Sequence, residues 1–174
     1  MSKHVQLSGA SLLIILILTA ACGGRIPTKT YELGEVLTIE YPEDWQIEEN
    51  LFEGFGVVVF SPEERDFSTG LGLGIFYIPA FMTVEGTDAG TFLRDFARDT
   101  ELGDLGENET VRSGANEWQQ AEFEYKDEDE EIQGKIMATE VPDGFVLIVA
   151  AAQPDTLSEY NRYYDVMLRS VTFK

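Results

Sequence analysis

Apolar and polar positions follow one another along this chain in two rhythms, and each rhythm predicts an element. In VLTIEY (36–41), Leu37, Ile39 and Tyr41 alternate with Thr38 and Glu40, the period-two pattern of a half-buried strand, and Pro42 ends it. GFGVVVF (54–60), closed by Ser61-Pro62, is apolar at consecutive positions, as a strand covered on both faces is. GLGLGIFYI (70–78) puts Gly70, Gly72 and Gly74 on one face and Leu71, Leu73 and Ile75 on the other. Glycine at alternate positions predicts a helix lying close against that face. EWQQAEFEY (117–125) alternates Ala121, Phe123 and Tyr125 with Gln120, Glu122 and Glu124, and IQGKIMATEV (132–141) pairs with it across an acidic turn as a hairpin. GFVLIVAAA (144–152) is again apolar throughout.

Two segments change to the helical period. Thr87-Asp88 offers a start for a helix that carries Phe92, Leu93, Phe96 and Ala97 on one face. In the last segment Leu157, Tyr160, Tyr164, Met167 and Val171 fall on one stripe, and Thr156 with Glu159 has the spacing of a capping box. Strands that are apolar on both faces need cover on both sides, and two helices are available to supply it. The predicted fold is α+β, a three-layer α/β/α sandwich around a central, mostly antiparallel sheet. Short links between strands favour hairpins, because parallel crossovers need a dozen residues or more.

The first thirty residues read differently. Lys3 and His4 precede an unbroken apolar run, Leu12–Leu18, too short for a span of about 20 residues. With Ala20 and Ala21 behind it, the run has the form of a secretory signal peptide. Cys22, the only cysteine, follows Thr19-Ala20-Ala21, and the stretch resembles the lipobox of bacterial lipoproteins, with Thr19 where that family prefers Leu. The resemblance implies cleavage after residue 21, lipid on the Cys22 thiol and anchorage to the extracytoplasmic face of a membrane; the plain alternative is a signal peptide with an incidental cysteine. Residues 1–21 are thus assigned to a leader, 22–30 to a flexible tether and 31–174 to a single domain. At ~3.3 Å per residue, the GGRIPTKT stretch (23–30) reaches roughly 26 Å when extended.

Loss of the leader also removes His4, the only histidine, while acylation consumes the only thiol. A chain so processed is without Ser-His-Asp or Cys-His catalysis, His/Cys zinc sites, histidine haem ligation and disulfides. Of twelve basic residues only Lys3 leaves with the leader, so eleven face 32 acids, a net charge of −21. That charge repels nucleic acid and anionic headgroups and favours cations or a basic protein surface.

IEYPEDWQI (39–47) resembles the strand–YPxxW signature near the start of PsbP-like domains. GVVVFSP, EWQQAEFEY and the final apolar strand leading into EYNRYYDVMLRSVTF continue the likeness over roughly residues 31–174. The resemblance implies the Mog1/PsbP-like sandwich, the same three layers reached from periodicity, and a role as an accessory or docking module. It transfers no ligand set residue by residue.

The remaining clusters with chemical content are few. KDEDEE (126–131) collects carboxylates, but as an EF-hand loop it has Ile132 where Gly belongs and Ala138 where Glu belongs, which favours a solvated turn over a cation site. GLGLG runs into strand residues, with neither the helix of a dinucleotide fingerprint nor the Lys of a P-loop. Trp45 and Trp118 are candidates for core packing or for a ligand-stacking wall. The expected protein is a non-enzymatic accessory lipoprotein held at the membrane through Cys22, without cofactor or metal, engaging a protein partner with a basic surface. A carboxylate-dependent envelope hydrolase and a weak divalent-cation binder are the rivals. A cleft flanked by two carboxylates favours the first rival, and an exposed apolar patch favours the docking module.

Overall fold

The computed structural model describes residues 25–52, 55–62, 72–126 and 131–174. The segment read as a leader (1–21), Cys22, Gly70-Leu71 and residues 127–130 of the acidic turn lie outside the described residues. The strands are β1 (Thr28–Leu33), β2 (Leu37–Pro42), β3 (Trp45–Phe52), β4 (Phe55–Pro62), β5 (Gly72–Pro79), β6 (Asp104–Leu105), β7 (Glu109–Ser113), β8 (Asn116–Lys126), β9 (Glu131–Val141), β10 (Gly144–Ala152) and β11 (Thr172–Phe173). The helices are α1 (Ala89–Asp99), between β5 and β6, and α2 (Leu157–Ser170), between β10 and β11.

The main sheet has the order β3-β4-β5-β10-β9-β8-β6, with β7 also paired to β8, and its described pairings are antiparallel. β10 lies at its centre, which explains the unbroken apolar run of that strand. Val146, Ile148 and Ala150 enter the core under α2, whereas Leu147 enters the core under α1. A helix therefore covers each face, as the three-layer reading requires. The predicted hairpin is present, with Tyr125 opposite Ile132 and Lys126 opposite Glu131.

One strand is placed differently from expectation. VLTIEY belongs to a second, three-stranded sheet, β1-β2-β11, and not to the central one. Its inward residues Leu37, Ile39 and Tyr41 are buried as the alternation demands, but in the layer that α2 occupies. The small sheet and α2 lie side by side over the same face; the Glu40 amide donates to Ser170 Oγ at 2.8 Å, and β11 returns the chain to β2 directly after the helix. Tyr41-Pro42-Glu43-Asp44-Trp45 is the step between the sheets. Tyr41 packs its ring on Phe60 at 5.2 Å, and Trp45 meets Tyr160, Tyr163 and Tyr164 of α2 at 5.7–6.1 Å.

The end of the segment assigned to the tether, 22–30, already carries strand structure. Strand pairing begins at Thr28, opposite Pro42, and Pro27 and Lys29 are both hydrogen-bonded to Glu43 backbone groups.

Both helices keep their predicted faces. Asp88 caps α1, its carboxylate accepting from the Thr91 amide at 2.8 Å and from Thr91 Oγ1 at 3.1 Å. Leu93 and Ala97 are buried against Ala121 and Ile136. On α2, Tyr164 and Met167 are fully buried, and Tyr164 donates its hydroxyl to the Ala151 carbonyl. The capping box is not formed. Thr156 has helical dihedrals (φ −107°, ψ −14°) instead of the extended ones a cap needs, and its hydroxyl turns back to the Gln153 carbonyl.

Candidate binding surfaces

The glycine face of β5 does not receive a helix. α1 sits over β8 and β9, and the atoms nearest a Cβ built on Gly74 belong to Phe76 at 3.3 Å and Val57 at 3.8 Å. The expected close approach gives way to a trough of about 360 Å³, floored by Gly72 and Gly74 and walled by Phe76, Phe96, Leu102 and Val149. The reason is the size of the aromatic wall: Phe96 of α1 meets Phe76 edge-on at 5.0 Å, which props the end of the helix beside the glycines instead of on them. Glu101 stands at the rim in a left-handed conformation, φ +53°. It is the residue that closes α1. The Leu102 amide donates to Ala97 O and the Glu101 amide to Arg98 O, the paired bonds of a Schellman ending, with Glu where Gly is usual.

A second trough, of about 440 Å³, opens on the α2 side among Asp104, Glu122, Glu124, Gln133, Lys135 and Asn161. Several carboxylates share it, as a hydrolase would need. One of them is already committed: Lys126 Nζ contacts Glu124 Oε1 at 2.5 Å and Gln133 Nε2 donates to the same oxygen at 3.2 Å. These bonds hold the Glu124 carboxyl below the usual range, opposite to the raised pKa of a general acid. Asp88 and Glu32 are likewise lowered, by the Thr91 donors at the α1 cap and by Lys174.

Lys126 and Glu131, the two described ends of the acidic turn, form an ion pair at 3.2 Å. Among the described residues no group of three Asp, Glu, His or Cys is placed to hold a metal ion. Trp45 and Trp118 are 6% and 1% exposed, so both are core residues and form no ligand-stacking wall.

The third surface went unnoticed in the sequence because it looks like the tail of a buried strand. After β5 the chain makes one 3-10 turn, Ala80–Met82, and leaves Phe81, Met82 and Val84 82%, 52% and 79% exposed. Scattered exposed apolar residues need no explanation, but three large ones within four positions form a patch. The turn is well braced. The Ala80 amide donates to Asp143 O, the Thr83 amide and hydroxyl both donate to Ala80 O, and the Thr87 amide donates to Val84 O.

This patch and the point where the chain enters the fold are at opposite ends of the sheet. Pro27 lies beside Glu43, and Trp45 pairs with Pro62 at the Gly72 end of the strands. Pro79 pairs with Gly144 at the other end. The eight residues of β5 separate them by about 26 Å at ~3.3 Å per residue.

An antiparallel sheet with α1 on one face, and α2 beside a small sheet on the other, defines an α+β module of the PsbP/Mog1 type. The solved structures agree. The solution structure of cyanobacterial PsbP (CyanoP) from Synechocystis sp. PCC 6803 superposes with a TM-score of 0.61 at 15% identity, over 90% of this chain and 99% of that one. LpqN, involved in cell envelope biogenesis of Mycobacterium tuberculosis, gives 0.55 at 14% identity, over 85% of this chain and 91% of that one. A Bacteroides thetaiotaomicron VPI-5482 protein gives 0.52 at 13% identity, matching 79% of this chain and 45% of its own. Identities this low establish the fold alone. No family model matches the sequence, and no curated protein matches it. No helix of the described residues is long and apolar enough to cross a membrane.

Proposed function

We propose that the protein is an extracytoplasmic lipoprotein, anchored through Cys22, whose PsbP-like domain is a non-enzymatic accessory module for a membrane protein complex. The observation that carries this reading is the polarity of the molecule. The chain enters at one end, with Thr28 already in a strand six positions beyond Cys22, and the exposed apolar turn is at the other. A domain tied so closely to a bilayer presents its far end outward, where a partner can meet it. The involvement of the fold neighbour LpqN in cell envelope biogenesis supports the location by analogy.

The test is the anchor. Cys22→Ser should release the protein from membranes, and radiolabelled palmitate should mark the parent only. Equal labelling, or equal membrane retention, would overturn the lipoprotein reading. On native gels the parent should co-migrate with a larger membrane complex; migration as a free monomer from mildly solubilised membranes would remove the accessory role. The carboxylates of the polar trough favour the hydrolase reading as the alternative. Under it, Glu122→Gln should abolish release of soluble fragments from envelope polymers, whereas the accessory reading expects no such release from the parent.

A further inference from the structure

We infer that the braced turn bearing Phe81, Met82 and Val84 is the docking epitope, and that its occupant is a protein with an apolar pocket rimmed by Lys or Arg. The inference deepens the accessory-module reading and rests on it, but it does not require the lipid anchor.

Charge selects the occupant. Between Arg65 and Arg94 the chain has no basic residue, and the turn itself is followed by Glu85 and Asp88. The hairpin turn that receives the Ala80 amide contributes Asp143. Glu35 lines the adjoining hollow with Tyr77 and Asp143. Lys174 also reaches this hollow, but it is held at 2.8 Å by both Glu32 and the Gly34 carbonyl. The apolar side chains therefore stand inside an acidic rim. A matching surface is apolar at its centre and positive around it, the arrangement that steers encounter and excludes wrong partners.

The same rim disfavours the other occupants. Surfaces that insert apolar side chains into bilayers carry basic flanks, and anionic headgroups repel acids. A second copy would bring an identical acidic rim and a net charge of −20. The backbone bonds within the turn keep the epitope in shape before contact, so little ordering is needed on binding.

The experiment places the photocrosslinking residue p-benzoylphenylalanine at Phe81, at Val84 or, as a control, at Asp165 on the exposed side of α2, in the full chain in its native membranes. These sites are exposed, so the fold is kept, and melting curves check that it is. The expected result is an adduct with one protein from positions 81 and 84 and none from 165. The adduct should fall at least tenfold in the Glu85→Lys/Asp143→Lys background and fall as salt rises from about 0.05 to 0.5 M.

Adducts of phospholipid mass, dimers of this chain, absence of any adduct, or an adduct indifferent to charge reversal would each overturn the inference. A protein adduct from position 165 alone would remove the epitope while leaving the accessory reading in place. The Cys22→Ser chain with the crosslinker at Phe81 separates anchor from docking, because the adduct should form whether or not lipid is attached.

Discussion

Gly134 and Gly74 make a matched pair of substitutions with opposite expected results. Both are strand glycines, and neither has a left-handed φ. Gly134 is opposite Phe123 in the β8–β9 register and opposite Ala151 in β10. A Cβ there would be 2.1 Å from the Ala150 carbonyl oxygen and 2.9 Å from two ring atoms of Phe123. The ring could turn aside, but the carbonyl belongs to the central strand of the sheet and cannot move without parting β9 from β10. Overpacking that displaces backbone destabilises by about 3 kcal/mol. At Gly74 the added methyl meets the end of the Phe76 ring at 3.3 Å and enters the open apolar trough. Phe76 is only partly buried and can yield. Replacing Gly with Ala also lowers the entropy of the unfolded chain, a gain of about 0.4–1 kcal/mol where the backbone permits. Gly134→Ala and Gly74→Ala should therefore differ by about 3–4 kcal/mol, read in urea as midpoints at least about 1 M apart at slopes of ~1–3 kcal/mol per molar. If Gly74→Ala is as damaging as Gly134→Ala, then the space above Gly74 is filled and the trough is not as described.

The α2 register gives a second comparison: Tyr164→Asp should unfold or strongly destabilise the domain by burying an unpaired charge, a penalty of several kcal/mol, while Asp165→Lys, which loses only an exposed 3.8 Å pair with Arg169, should leave the melting temperature nearly unchanged. Tyr164 also sets an alkaline limit. Burial raises its pKa, so the folded state keeps a proton that the unfolded chain releases near pH ~10; its contribution is complete below that pH and is lost as pH rises towards the folded value. Tyr164→Phe should shed about 1 kcal/mol at neutral pH with its bond to Ala151, yet lose less than the parent between roughly pH 10 and 11.5; Tyr31, pushed up to about 12, keeps part of that slope in both. At the α1 ending, Glu101→Gly should raise the melting temperature by about 1–3 °C, since left-handed backbone opposes a side chain by ~1–2 kcal/mol and glycine's looser unfolded state offsets part of the gain. Glu101→Val should lower it, and a lower value for the glycine variant would count against strain at that position.

Much of this molecule was legible before any tertiary contact was known. Leu37, Ile39 and Tyr41 are buried as their alternation requires, and the run at 144–152 is the strand with both faces covered. Tyr164 and Met167 face inward, and Asp88 caps α1. These follow from local periodicity, because a side chain's direction within a strand or helix is set by its own backbone. The YPEDW stretch was recognisable for a related reason: a chain that steps between sheets there must bury Tyr41 and Trp45 on either side of a proline.

What remained hidden depends on partners distant in sequence. β1 and β7 expose many of their side chains, and β6 and β11 have two residues each, so only pairing with β2 and β8 makes them strands. Nothing in VLTIEY says to which sheet it belongs. Thr156 is an exception of local origin: it has the spacing of a cap, but its own backbone is already helical and its hydroxyl donates to the Gln153 carbonyl three residues earlier. Gly74 faces an open trough because Phe76 and Phe96 meet beside it, and Gly134 is shut in because the Ala150 carbonyl and the Phe123 ring close over it. The exposed turn shows the division most plainly. Ile78, Phe81 and Met82 are alike apolar and lie within five positions, yet 3-10 geometry from Ala80 turns Phe81 and Met82 out of the sheet. Composition determines that a side chain is apolar; whether water or another strand covers it is decided by the elements that arrive from elsewhere in the chain.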